Sequence, residues 1–476
     1  MQAVRGYEEK DPHTTRHLTS GYPRFVVHPF ARQLAAHCVE SDPTLTGRTL
    51  WLASSAGMAR ALVAHLGGVP AARLYEKAGL HGVLHGASDT ALAAQAKTYL
   101  QNFGGFLSSR EAEDRLFRLG QIPAVAAEPT FAGKAAAEVR SHLLRMLPEA
   151  QSGDLFLANC GMNAIQAGFR AVSELQASRG RTAWVQLGWL YLDTIALLKK
   201  YTPKPADYIH VSDVFDTAAL EILFAARGAE IAGVVAEVPT NPLIQTPDVP
   251  ALAALCRRHG VRLLLDPSVV SAYNLDVLPH ADLLVTSLTK YTASEGDLVA
   301  GLVAVNPAGP DAAALRSRLP HLLEPVYPRD LAVLATQIGR TETVLAQIHA
   351  NVPRVVEFLS GHPAVGEVYW ALHPSSRTNY LRLARRPDAV GGLLTFTLRG
   401  SLERFYDRLR LPKGPSFGMK TTLICPFMFL AHYDLVTSEA GRAELAAHGL
   451  DPNLLRLAVG TELAVDIIAA LAEALA

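Results

Sequence analysis

Short apolar runs closed by a polar residue alternate along this chain with longer runs whose apolar positions recur at helical spacing. The run at 262–265 ends in Asp266, the run at 283–286 ends in Ser287, and LFLA at 155–158 leads to Cys160. Each reads as a strand with polar groups just beyond its carboxyl end. IAGVVAEV, at 231–238, is a further strand, broken by Pro239-Thr240-Asn241-Pro242, where two prolines fix an extended turn. Asn241, Asp266 and Lys290 follow one another at intervals of 25 and 24 residues, and each interval leaves room for one strand, one helix and their turns. That is the layout of a parallel sheet whose strand ends deliver polar groups to one crevice.

Upstream, 48–67 (RTLWLASSAGMARALVAHLG) predicts a strand then a helix, and 133–147 (GKAAAEVRSHLLRML) a helix packed on the sheet. Downstream, LVAVN is a closing strand, and Asn306-Pro307-Ala308-Gly309-Pro310 breaks it. Residues 311–360 read as helical, 391–400 (GGLLTFTLRG) as a strand, SLERFYDRLR as its following helix and 412–417 as a loop. The final stretch, NLLRLAVGTELAVDIIAALAEALA, reads as a short strand and an amphipathic helix. Residues 1–50 carry Pro23, Pro29, Pro43 and isolated aromatics, which suits an arm with short helices. Within it, GYPRF at 21–25 cannot be a helix interior, because Pro23 also restricts Tyr22. The arm either lies on a neighbouring subunit or forms a simple N-terminal strand.

At 476 residues the chain divides into at least two cores. Lys and Arg (44) balance Asp and Glu (44), so no global field attracts a polyanion and nucleic acid is not an expected partner. The 4 cysteines, Cys38, Cys160, Cys256 and Cys425, show no CxxC spacing, which argues against a zinc site or a disulfide framework and for a reducing cytoplasm. No signal-peptide core and no run of about 18 apolar residues is present, so no membrane association is expected.

A carboxylate, a lysine and hydroxyls at strand ends of one crevice suit pyridoxal phosphate. Lys290 would bond to its aldehyde, Asp266 would keep its pyridine nitrogen protonated, and Ser287 and Thr289 would bond its phosphate. Taken singly, Asp266 could be a helix cap and Lys290 a solvated surface residue. Two Gly-Met turns compete for the phosphate. Gly57-Met58, after Ser54-Ser55-Ala56, lies 233 residues before Lys290, and Gly161-Met162 lies 129 before it. The second follows an apolar strand and opens a helix, whose free N–H groups bind anions, so Cys160, Gly161 and Met162 are the expected cradle and the first turn a decoy.

The segment 237–301 resembles the active-site segment of the Cys/Met-metabolism family of pyridoxal-phosphate enzymes, which includes cystathionine γ-synthases, cystathionine lyases and methionine γ-lyases. VLPHADLLVTSLTKY, KGPSFGMKTTLICPFMFLAHYD, GYEEKDP and GYPRFVVHP are similar to a longer branch of cystathionine γ-synthases best known from fungi, so the resemblance covers nearly the whole chain. It implies an α/β fold of the aspartate aminotransferase type I class: a mostly parallel seven-stranded sheet in a large domain (131–325), a smaller α+β C-terminal domain (326–476), and an N-terminal arm and extension (1–130). It also implies at least a closed dimer, as homodimer or homotetramer.

Residue by residue, the resemblance implies that Tyr191, in Tyr191-Leu192-Asp193-Thr194, stacks on the pyridine ring and assists proton transfer, and that Asn241 faces the cofactor's phenolic oxygen. It implies that Ser416, in Ser416-Phe417-Gly418, helps hold the substrate carboxylate, and that Arg456 binds that carboxylate as a planar fork. The family's Tyr-x-Arg element, which reaches the cofactor phosphate across the dimer, is not found before the helix at 133–147, where Glu128-Pro129-Thr130 stands. Arg118, in Leu116-Phe117-Arg118, is the closest stand-in.

On this reading the chain is a cytoplasmic transferase of methionine biosynthesis and transsulfuration, replacing the γ-substituent of an O-acylhomoserine by cysteine to give cystathionine. A β- or γ-lyase, a methionine γ-lyase or a homoserine sulfhydrylase shares every residue named. A catalytically silent regulatory protein on the same scaffold is a third possibility, weakened by the intact Lys290 and Asp266. A nicotinamide-binding Rossmann domain is weaker still, because no G-x-G-x-x-G follows the first strand.

Overall fold

Three sheets, each drawn from one stretch of chain, organise the computed structural model, which describes residues 1–19, 21–22 and 25–476. The first sheet, β1 (Arg48–Ala53), β2 (Ala72–Lys77) and β3 (Leu80–Gly86), is antiparallel in the order β1-β3-β2. Ala78 and Gly79 join β2 to β3 with φ of 53° and 72°, the two positive angles that a tight hairpin requires. Its two faces bury different sets: Leu50, Leu84 and Leu116 on one side, Met58, Val83 and Leu100 on the other. Only β1 is foreseen by the hydrophobic pattern. β2 and β3 mix Arg, Glu, Lys and His with apolar residues, because one sheet edge and the hairpin tip are exposed.

The central sheet comprises β4 (Leu155–Ala158), β5 (Ala183–Leu187), β6 (Tyr208–Val211), β7 (Ile231–Glu237), β8 (Arg262–Asp266), β9 (Leu283–Ser287) and β10 (Gly301–Val305), in the order β4-β10-β9-β8-β7-β5-β6. Pairs among β6, β5, β7, β8 and β9 are parallel, and β10 runs antiparallel to both β9 and β4. β5, β7, β8 and β10 are buried at every position, as expected of strands covered on both faces. The crossover from β7 to β8 is the helix Val249–His259. Asp248 caps its start by accepting from the Ala251 amide at 3.2 Å, and Gly260 ends it in the left-handed region at φ 67°. From β8 to β9 the chain makes turns and a single 3-10 turn, Leu278–His280, instead of the expected helix. Pro267 and Pro279 and the polar start of DPSVVSAYN deny that stretch a helical face.

The third sheet, β11 (Val365–Tyr369), β12 (Leu393–Leu398), β13 (Leu423–Pro426) and β14 (Leu455–Ala458), is antiparallel in the order β11-β12-β14-β13. The long helix Thr341–Gly361 packs beside it, and its residues join those of the central sheet in one apolar core. The arm folds as helices Gln2–Glu8, Pro12–Thr15 and Pro29–Glu40. Its first helix rests on the C-terminal part of its own chain, with Arg5 Nη2 2.6 Å from Glu403 Oε1 and the Tyr433 hydroxyl donating to Glu9. No strand precedes Arg48 among the described residues. No helix among them is long and apolar enough to cross a membrane.

Candidate active site

Parallel pairing sets Glu237 beside Asp266 at the ends of β7 and β8. Gly301, at the start of β10, pairs with both Ala158 and Ser287, which brings the start of the helix Gly161–Ala177 against the end of β9. The approach is close: a Cβ on Gly161 would lie 2.8 Å from Ser287 Cβ, and one on Gly301 2.4 Å from the Cys160 carbonyl oxygen. Cys160 caps this helix, its Sγ accepting from the Asn163 amide at 3.5 Å. The first-turn amides of Gly161 and Met162 have no partner in an α-helix and are left to an anion. The Met162 side chain is buried in the core, so only its backbone faces the cradle.

Ser268 ties the acid to this corner. Its hydroxyl donates to Asp266 Oδ1 at 2.5 Å and accepts from the Ser287 amide at 2.8 Å. Burial pushes the Asp266 carboxyl up to about 6, with the Ser268 hydroxyl and amide pulling the other way. Burial, with the neighbouring Asp266 charge, pushes Glu237 well above the carboxylate range, opposed by Arg456. Glu237 in turn accepts from the Tyr191 amide, which anchors the start of the helix Leu192–Tyr201 to the end of β7.

Lys290 sits in the turn after β9, its amide bonded to the Ser287 carbonyl at 3.2 Å. Its Nζ donates to Ser416 Oγ at 2.8 Å and lies 4.8 Å from the Phe417 ring centre and 5.5 Å from that of Tyr22. The next residue, Tyr291, has φ 63°, a conformation disfavoured for a bulky side chain. It is held there by a buried ring whose hydroxyl donates to the Val269 carbonyl at 2.7 Å and accepts from the Gly392 amide at 2.9 Å. Its own amide donates to the Gly418 carbonyl at 2.7 Å. Gly418 has φ 71°, and a Cβ there would be 2.7 Å from that amide nitrogen, so glycine is required on both counts. The Thr289 hydroxyl accepts from the Ala300 amide at 3.1 Å and shapes the lysine turn.

Arg456 lies mid-strand in β14 between Thr395 and Cys425 and is buried. It donates to Asn241 Oδ1 at 3.2 Å and to the Pro415 carbonyl, and stands 4.5 Å from the Phe427 ring centre. Burial lowers its guanidinium below the ordinary value, partly offset by Cys425 and Glu237. It is a buried, fork-shaped cation with no carboxylate in salt-bridge range among the described residues, an arrangement that can receive one.

Several sequence expectations change here. Arg118 does not join the site. Leu116 is fully buried on the inner face of the helix Ser109–Arg118, and two residues on, about 200° around the helix, Arg118 is turned to solvent. The arginine lining the cavity beside Cys160 is Arg110, which is neutralised by Glu128, at 2.8 Å, and Asp330, at 3.0 Å. Tyr22, in the arm, stands over the Lys290 amine, and its neighbours Pro23 and Arg24 lie outside the described residues.

The decoy turn at Gly57-Met58 belongs to the first sheet, as Ser55 caps its helix at 3.0 Å. The small N-terminal unit nonetheless reaches the cradle through Gly104. This residue ends the helix Thr90–Phe103 at φ 66°, and its carbonyl accepts from Asn159 Nδ2 at 2.7 Å. A Cβ on Gly104 would lie 2.4 Å from Cys160 Sγ. Gly104→Ala is therefore expected to destabilise the protein by about 2–4 kcal/mol. Gly120→Ala, at φ 67° with nothing within 4 Å, should cost only about 1–2 kcal/mol. Urea denaturation of both variants checks the difference, and equal losses would mean that the contact with Cys160 is unimportant.

No group of three or more His, Cys, Asp or Glu among the described residues could hold a metal ion. The pieces fit pyridoxal phosphate: a helix start and a serine for the phosphate, a buried acid for the ring nitrogen, an amine for the aldehyde, and the rings of Tyr22 and Phe417 around that amine. Fold and site together define an α/β enzyme that uses this cofactor. Residues 135–476 match the family described as Cys/Met metabolism PLP-dependent enzymes. An L-2-amino-4-chloropent-4-enoate dechlorinase/desaturase from Streptantibioticus cattleyicolor is 40% identical over 462 residues, covering 97% of this chain and 92% of that one. The cystathionine γ-synthase of Neurospora crassa is 30% identical over 336 residues, 70% of this chain but only 53% of its own length. Among solved structures, a cystathionine γ-synthase from Xanthomonas oryzae superposes with a TM-score of 0.61 at 22% identity, covering 74% of this chain and 89% of that one, which supports the fold. The chain belongs to the Cys/Met-metabolism family of pyridoxal-phosphate-dependent enzymes.

Proposed function

We propose that this enzyme takes protons from Cα and Cβ of an L-α-amino acid and releases a leaving group from Cγ, with chloride lost from a chloroalkenyl amino acid as its reaction. Of the two protons taken, one is returned to carbon, so that in balance the substrate loses one proton and one chloride and gains one carbon–carbon π-bond. The observation that carries this reading is the 40% identity to the dechlorinase/desaturase over 97% of the chain, which reaches into the N-terminal unit that supplies Tyr22 and Gly104.

Pyridoxal phosphate, when bound, supplies an electron sink that makes the Cα proton acidic. Arg456 fixes the substrate carboxylate and so the direction in which Cα–H points. Lys290 is the base for that proton and carries it between carbons, with Ser416 holding the amine when it is idle. Asp266 balances positive charge on the ring nitrogen. Glu237 holds the Tyr191 backbone at the lip of the site. Phe417 and Tyr22 cover the amine with apolar surface and exclude water from it.

A second reading, γ-replacement on an O-acylhomoserine by cysteine to give cystathionine, is favoured by the similarity to the Neurospora synthase. Incubating the holoenzyme with L-2-amino-4-chloropent-4-enoate and measuring free chloride tests the first reading. Acetyl-, succinyl- and phosphoryl-homoserine with cysteine, scored for cystathionine, test the second. Rapid cystathionine formation without chloride release would overturn the first. In either case Arg456→Met should lower kcat/KM by about 10- to 100-fold, mostly through KM, since a charge-assisted hydrogen bond is lost. Arg456→Lys, which keeps the charge without the fork, should recover only part of it, and full recovery would refute planar recognition.

A further inference from the structure

We propose that the cavity between the N-terminal unit and the helices Gly161–Ala177 and Leu192–Tyr201 is a binding site for a planar aromatic anion, and that its occupancy is felt at the cofactor. The cavity measures about 590 Å³, a size that holds one small ligand. Its walls are rings. Tyr99 and Phe103 stack at 4.2 Å with their planes 12° apart, Tyr201 meets Phe103 edge-on at 4.9 Å, and Phe169 lies 4.7 Å from Trp184. Such an array offers faces and edges to a flat aromatic guest.

Two polar groups in the lining lack what such a guest would bring. The Tyr201 hydroxyl is buried and has no hydrogen-bond partner among the described residues, a state that costs free energy until an acceptor arrives. Arg181 donates through Nη1 to the carbonyls of Gly228 and Ile231, at 2.7 and 3.2 Å, but has no carboxylate partner among the described residues. Partial burial, together with the nearby Arg262 and Arg179, lowers its guanidinium below the ordinary value, and those two arginines are themselves paired with Asp311. The one acid among the lining residues, Glu174, is paired with Arg170 at 3.1 Å. The charge complement is therefore an anion, and the orphan hydroxyl asks for an acceptor.

The link to the cofactor is geometric. Both helices in the lining start at the active site, one after Cys160 and the other after Tyr191. A ligand wedged against their distal turns acts on the elements that carry Cys160-Gly161 and Tyr191, and any effect is reciprocal.

The test is titration of the holoenzyme with 8-anilinonaphthalene-1-sulfonate, read by probe fluorescence. One saturable site per chain is expected. Arg181→Met should weaken it about tenfold and Tyr201→Phe about threefold. Because Tyr201→Phe removes an unsatisfied buried hydroxyl, its melting temperature should equal or exceed that of the parent, which separates lost binding from lost folding. Unchanged probe affinity in both variants would overturn the site. Cofactor affinity, measured by dialysis with and without saturating probe, should differ at least twofold, and equal values would overturn the coupling.

Discussion

Lys290→Ala lowers turnover by about 10³- to 10⁴-fold, the size of a lost general base, while the fold survives. Both halves follow from where the residue sits. Its Nζ donates to Ser416 Oγ at 2.8 Å and lies beside the Phe417 and Tyr22 rings. Shortening the side chain removes these contacts without touching the backbone of the turn. The strained geometry of the turn resides in Tyr291, whose ring and backbone hydrogen bonds do not involve the lysine side chain. Stability in urea should therefore change by no more than about 1 kcal/mol. Borohydride should fix the cofactor to the parent at Lys290 and leave the variant unlabelled, as read by peptide mass. A variant with more than a tenth of parental activity, or labelled elsewhere, would remove Lys290 from the chemistry.

The second large effect is that of Asp266→Asn. The carboxyl is buried at the end of β8, with Ser268 on one oxygen and Glu237 in register beside it. Losing its charge removes the counter-ion for a protonated ring nitrogen, and turnover should fall by about 10²- to 10³-fold, as when one preorganised electrostatic contact is deleted. The same residue gives a pH signature in the cofactor-free protein. Its folded-state value of about 6 lies above the ordinary 3.8. Between those values the folded protein keeps a proton that the unfolded chain has lost, so stability from this group is highest below about 4 and falls as pH rises through about 6. The loss is on the order of 3 kcal/mol. Asp266→Asn should flatten that part of the stability curve, and an unchanged slope between pH 4 and 6 would contradict the assignment. Restoring the cofactor should also reduce the slope, because a cation beside the carboxylate lowers its pKa.

Glu237 shows how such a partner escapes a linear reading. In the sequence it is a lone acid near the end of an apolar run, indistinguishable from a strand end meeting solvent. Only pairing of β7 with β8 sets it beside Asp266, and only packing buries it. Ser268 was similarly unmarked in DPSVV, yet it joins Asp266 to the Ser287 amide. Arg118 and Gly104 fail in opposite directions. A charge near the expected place was turned outward by the helix phase that buries Leu116, whereas a glycine at a helix end proved to be a contact with the cradle.

By itself, the sequence determined β4 and β7 to β10 of the central sheet, the helix start after Cys160 and the order in which Asn241, Asp266 and Lys290 arrive at one sheet edge. Those features are local: an apolar run, its terminating polar residue and the next turn lie within a few residues of each other. The tertiary structure alone decided that β10 runs backwards between β9 and β4, closing Gly161 onto Ser287, and that Tyr22, Gly104, Ser416 and Arg456 converge from both ends of the chain. Such meetings are set by which apolar faces bury against each other, and hydrophobic burial is non-directional, so no spacing along the chain records them.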